Sequence, residues 1–271
     1  MNKAKGAVNE PGDWIEILAR FGYAAKGIVY IIIGALALQA AVGTASPNIN
    51  IQDALVQIVS QPFGQILLYI VGVGLAGYAL WKFVQAILNP DREKSDAKGY
   101  AARAGYLVTA FAYGFLAYTA FRMASGQPTS GGGTTQGIAS SFMGTSFGRW
   151  AIAAAGIILF IWGLAQFYRA YTASFMKHID TFEMDRNVEN GAEWLGRFGI
   201  AARGVVFLLI GYFLAYAGIT YKPSVSGGLG QALATLDKLP YGPWLLGIVG
   251  AGLIAYGLFM IVLARYRTIN V

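Results

Sequence analysis

Two pairs of basic residues stand at one spacing on a strongly apolar background. Arg20 and Lys26 are six positions apart, and so are Arg197 and Arg203; a third arginine, Arg103, has Thr109 six positions on. A cation at the start of an apolar run has two uses. It can stretch along its aliphatic stem to lipid phosphates and fix a helix in place, or it can turn inward and bind an anion. Turned inward, Lys26, Thr109 and Arg203 would form a collar for an anion or a lipid headgroup, with Arg20, Arg103 and Arg197 beside them. The neutral Thr109 breaks the symmetry of that collar.

Little other chemistry is provided for. No Asp or Glu falls inside an apolar run, and buried carboxylates are what proton relays and cation sites in membranes use. There is no cysteine and one histidine, so disulfides and thiolate metal sites are excluded. His178, with Asp180 and Glu183, lies in a charged segment better suited to water than to a metal. Gly72-Val-Gly-Leu-Ala-Gly77 fits a dinucleotide fingerprint in letters, but that site needs a preceding strand and a soluble fold. Inside an apolar run, Gly72, Gly74 and Gly77 read as small residues for close helix packing, as do Gly156, Gly250 and Gly252. The residues suggest no enzyme, no metal and no cofactor.

The elements that would carry these residues are membrane spans. The chain of 271 residues is 56% hydrophobic and 12% charged, with mean hydropathy +0.52. Soluble domains carry about 25% charged residues. Apolar runs predict spans over 21–41, 63–88, 104–123, 147–171, 198–219 and 241–264. The even count returns both ends to one side. Of the 20 Lys and Arg, all but Arg122, Arg149, Lys222 and Lys238 lie at that side, which predicts cytoplasmic termini. A net charge of +7 suits loops facing anionic headgroups. Anionic membrane lipids, and possible association with a membrane protein, are therefore expected; nucleic acid is not.

The chain also repeats itself. Arg20-Phe-Gly-Tyr-Ala-Ala-Lys-Gly-Ile-Val-Tyr30 returns as Arg197-Phe-Gly-Ile-Ala-Ala-Arg-Gly-Val-Val-Phe207, and Arg103-Ala-Gly-Tyr106 runs on to Tyr113 in the same register. Each even-numbered span opens on Pro62-Phe-Gly64, Ser146-Phe-Gly148 or Pro240-Tyr-Gly242, and carries Tyr78, Trp162 or Tyr256 further in. Gln52, Gln136 and Gln231 precede those openings, either as an outer polar ring or as caps of local loops, each with a short outer helix. The divisions are a tail (1–13), repeats at 14–88, 103–171 and 197–264, charged cytoplasmic loops at 89–102 and 172–196, and a C-terminus at 265–271. Trp14–Ala19 and Asn190–Leu195 read as short interfacial segments ahead of spans one and five. A two-span unit returns to its starting side, so the repeats are parallel. The predicted fold is all-α, six transmembrane helices in three tandem two-helix repeats around a pseudo-threefold axis.

The tripled R-x-G-x-x-A-[KR]-G start and the Gln…[FY]-G…G…[YW] second half resemble the bacterial three-repeat, six-span membrane proteins known only as a domain of unknown function. The resemblance covers residues 14–264 and implies a bacterial cytoplasmic membrane. It implies no activity. The functional expectation is a non-catalytic accessory, scaffold or lipid-binding membrane protein; the alternative is a small channel or facilitator with a path near the three-repeat axis.

Overall fold

Apolar runs of this length have one stable form in lipid, because a helix satisfies its own backbone hydrogen bonds. The computed structural model describes residues 11–89, 96–127, 145–180, 184–222 and 225–268. Six long helices run over Pro11–Ala41 (α1), Gly64–Leu88 (α3), Ala97–Ala124 (α4), Ser146–Thr172 (α5), Arg186–Thr220 (α6) and Gly242–Tyr266 (α8). Two short ones, Ile51–Val59 (α2) and Leu229–Asp237 (α7), lie at the end opposite the termini. All six long helices are long and apolar enough to cross a membrane. The polar tail 1–10, residues 90–95 of the first charged loop and Gln136 lie outside the described residues.

Helices associate in lipid through close packing rather than through burial from water. The most extensive contacts pair α3 with α4, α5 with α6, and α8 with α1, so the second helix of each repeat packs on the first helix of the next. The third of these joins the two ends of the chain. Within repeats, α1 packs on α3 and α6 on α8. The first helices of all three repeats share one apolar cluster, with Ile33 and Ala37 of α1, Leu116 and Ala120 of α4, and Val206 of α6. The glycines named above sit at these crossings: a Cβ at Gly74 would strike Ala25, one at Gly77 the Leu18 carbonyl, one at Gly156 the backbone of Ala215, and one at Gly252 Ala202. Gly250 faces the Gly34 carbonyl and Gly72 the ring of Phe121.

Three helices start earlier than their apolar runs. Trp14–Ala19 and Asn190–Leu195 are the first turns of α1 and α6, not separate segments. No proline interrupts these junctions, and the i,i+4 pairs Glu16–Arg20 and Glu193–Arg197, both at 2.7 Å, span them. α4 begins at Ala97, where the Asp96 side chain caps it by accepting from Gly99 N at 2.8 Å. The charged segments 89–102 and 172–196 are thus partly helical.

The Phe/Tyr-Gly openings have a backbone cause. Phe63 and Tyr241 adopt left-handed φ of 60° and 62°. The following glycines turn tightly against the short helices, and a Cβ there would strike the Val59 and Asp237 carbonyls. In the second repeat, α5 instead starts at Ser146, capped by the Thr145 hydroxyl accepting from Gly148 N at 3.0 Å.

Candidate functional site: caged cations at the terminal end of the bundle

Tyr23, Lys26 and Tyr30 follow one another at i, i+3 and i+7, so α1 presents them on one face. That face is turned into the bundle. Lys26 is 3% exposed and donates to the Tyr78 hydroxyl at 2.8 Å. Its Nζ lies 4.4 Å from the centre of the Tyr78 ring, 5.0 Å from Tyr113, 5.4 Å from Tyr256 and 5.9 Å from Tyr30. Arg203, at the matching place on α6, donates to the Tyr256 hydroxyl at 2.5 Å. Its guanidinium stands over Tyr256 at 4.5 Å, Phe207 at 4.8 Å and Tyr30 at 5.7 Å. Tyr30 and Tyr256 meet edge to face at 4.8 Å and are shared by both cations.

The cage is wider than these two. Lys82 of α3 is 8% exposed, donates to Gln85 Oε1 at 2.6 Å and stands 4.7 Å over Tyr106. Beyond the end of α8, Arg267 lies 5.4 Å from the Tyr23 ring. It is held there by a bridge to Ile179, and Asp180 N donates to the Tyr266 carbonyl at 2.9 Å. Lys26 and Arg203 face the same two rings, Tyr30 and Tyr256, so like charges are held together there. The ion pairs Glu16–Arg20 and Glu193–Arg197 involve neither Lys26 nor Arg203. Each cation–ring contact returns about 0.5–2 kcal/mol, against several kcal/mol for removing an ion from water. Donors are left over: ammonium has three protons, of which Tyr78 takes one, and the buried Arg203 Nε has no partner.

The six positions of the expected collar separate into three groups. Lys26 and Arg203 meet through the tyrosines. Thr109 does not join them; it is half-buried and its hydroxyl donates to the Gly105 carbonyl of its own helix at 2.7 Å. The three arginines have another task. Arg20 donates to the carbonyls of Ala264 (3.1 Å) and Arg265, Arg103 to those of Ala86 (2.7 Å) and Ile87 (3.1 Å), and Arg197 to that of Tyr171 (2.8 Å). Each closes the last turn of the helix it packs on, α8, α3 and α5 in turn, where carbonyls lack partners and the helix dipole favours a cation.

Of the three glutamines, Gln52 and Gln231 lie on α2 and α7, whose starts touch: Gly230 N donates to Asn50 Oδ1 at 3.3 Å. Both glutamines are half-buried. No group of three or more metal-ligating side chains occurs among the described residues. Sequence reasoning passed over Lys82, Gln85 and Arg267; a lysine inside an apolar span, four residues after Tyr78, was the available signal for the first.

The second repeat departs at one contact. Gly22 lies against the backbone of Tyr78, and Gly199 against that of Tyr256. Gly105, at the same place, meets only the tip of the Trp162 ring. No extensive packing joins α4 to α5, unlike α1 with α3 or α6 with α8.

Fold and site together define an all-helical membrane protein of six spans and three parallel repeats, with caged cations near one end. The chain belongs to the family described as Domain of Unknown Function (DUF1206), which matches at residues 21–89, 104–173 and 198–267. It is 33% identical over 268 residues to the uncharacterized protein YxxB of Bacillus subtilis (strain 168), an overlap of 98% of this chain and 95% of that one. No solved structure matches the chain.

Proposed function

We propose that this is a non-catalytic membrane protein that binds an oxyanion, free or on a lipid headgroup, between Lys26 and Arg203. One observation carries the reading. Buried Lys26 and half-buried Arg203, from different repeats, are drawn together on shared tyrosines, with donors to spare and, among the described residues, no carboxylate paired to either. An anion offsets their repulsion and accepts the spare donors. Residence in a bacterial cytoplasmic membrane with both ends inside belongs to the same proposal, since it places the site level with the anionic leaflet. An accessory or scaffold role then works through what is bound there, with or without a membrane-protein partner. The channel alternative has less support, because α1, α4 and α6 share the apolar cluster of Ile33, Leu116 and Val206. Among the described residues no nucleophile with a neighbouring base accompanies the cations, which favours binding over catalysis.

The test is native mass spectrometry of gently solubilised protein with phosphatidylglycerol or inorganic phosphate added. Lys26→Gln with Arg203→Gln is expected to lower retention of the anion at least tenfold, whereas Glu16→Gln leaves it unchanged. Equal retention in the double variant and the parent refutes the site.

A further inference from the structure

The cage is covered at its end and thin at its side. At the end, Arg267 stands over Tyr23 and the pairing of Ile179 with Arg267 holds it there. At the side, α4 and α5 are spread apart around the ring of Trp162, and they are the least buried of the long helices. Both edges of this slot belong to the cage. On α4, Tyr106 faces Lys82 and Tyr113 faces Lys26, at 4.7 and 5.0 Å. On α5, Gln166 holds the register position that Lys82 of the cage holds on α3; it is 2% exposed, and its Oε1 is buried with no partner. A buried amide oxygen left unpaired is destabilising, and it requires a donor.

We propose that the ligand is an anionic lipid with a hydroxyl-bearing headgroup, admitted sideways from the bilayer between α4 and α5. The lipid phosphate takes the spare protons of Lys26 and Arg203 Nε, and a headgroup hydroxyl donates to Gln166 Oε1. The acyl chains stay in the membrane, so the chain need not leave lipid for the headgroup to reach the cations. Trp162 is the door: its ring tip on Gly105 is the contact that yields, whereas the backbone contacts of Gly22 and Gly199 hold the other two hairpins shut. This rests on the anion site proposed above and adds the source of the anion, its headgroup and its route.

The absence of cysteine makes the route testable. In the Gly105→Cys/Trp162→Cys protein a bismaleimide can join α4 to α5. Delipidated protein is reloaded from phosphatidylcholine vesicles containing either phosphatidylglycerol or phosphatidylmethanol, of equal charge but without the hydroxyls, and bound lipid is read by native mass spectrometry. Linking is expected to lower phosphatidylglycerol loading at least tenfold relative to the unlinked pair. Unaltered protein should prefer phosphatidylglycerol to phosphatidylmethanol about fivefold, the value of one hydrogen bond, and Gln166→Leu should erase that preference. If the linked pair misfolds, Thr109→Lys/Trp162→Tyr, which gives the second repeat the residues of the other two, should slow loading in its place. Loading unaffected by both closures overturns the route, and equal binding of the two lipids overturns the headgroup assignment. Inorganic phosphate that binds while no lipid loads makes the ligand a soluble anion, which ends this inference and spares the anion site. Lys26→Gln/Arg203→Gln protein that binds phosphate and lipid like the parent ends the anion site itself.

Discussion

In the first repeat Gly22 rests on the backbone of Tyr78, and Lys26, one turn on, donates to that tyrosine's hydroxyl; in the second, Gly105 meets a tryptophan ring and Thr109 turns back on its own helix. The third repeat follows the first, with Gly199, Tyr256 and Arg203. Two substitutions therefore go together. Where the first helix carries a cation, the second carries a phenol to accept from it; where the cation is gone, the phenol is replaced by an indole, which has no acceptor. The difference teaches that the cation–tyrosine bond and the closeness of a hairpin are one device. The second repeat keeps the common fold while giving up that device.

The comparison can be broken at several points. The largest effect is expected where helices touch backbone to backbone. Gly22→Val places a Cβ 2.5 Å from Tyr78 N and should cost about 3 kcal/mol or more. Gly105→Ala, which only has to displace a ring tip, should cost about 1 kcal/mol. Thermal unfolding in detergent checks the order, and equal losses would mean that the second hairpin is as tight as the first. Next come the phenols. Tyr78→Phe and Tyr256→Phe each leave a cation of the cage short of an acceptor and should cost about 1.5–3 kcal/mol, while Trp162→Phe stays under about 1.5 kcal/mol by the same assay. Loss of a carbonyl-capping arginine is smaller: Arg103→Ala or Arg197→Ala should lower stability by about 1 kcal/mol. The smallest change is Thr109→Val, within about 0.5 kcal/mol, because the lost hydroxyl bonds only its own helix. A large loss there would give Thr109 the inward role that its position first suggested.

Much of the architecture was legible because it is written in local pattern. Apolar runs fixed the six helices, and the recurring Arg, Gly and Tyr positions fixed the repeats and their parallel sense. The Phe-Gly and Tyr-Gly openings marked real left-handed turns at Phe63 and Tyr241. The site was legible in part. Lys26 and Arg203 stood out by register, but grouping Arg20 with Lys26 overlooked helical geometry. Six residues are about one and two-thirds turns, so the two side chains leave α1 on different faces. One reaches the carbonyls of α8 and the other the tyrosines. Lys82 and Gln166 escaped notice because the repeats disagree there: the corresponding residues are Lys82, Gln166 and Met260, and a pattern sought by likeness passes over positions that differ. The sharing of Tyr256 between Lys26 and Arg203 depends on α8 closing against α1. That order of helices is a property of the assembled bundle, and no short-range spacing encodes it.

Arg20 holds the last helix to the first by the same kind of contact that Arg103 and Arg197 make between neighbouring repeats. The seam where the chain begins and ends is thus one of three like seams, and it differs from the others only in having no covalent link. Covalent order is then a convenience of synthesis rather than a condition of the fold. A chain rearranged to begin at α4 and end with α3, its old ends tied by a short linker, has every seam it had before and should assemble into the same bundle.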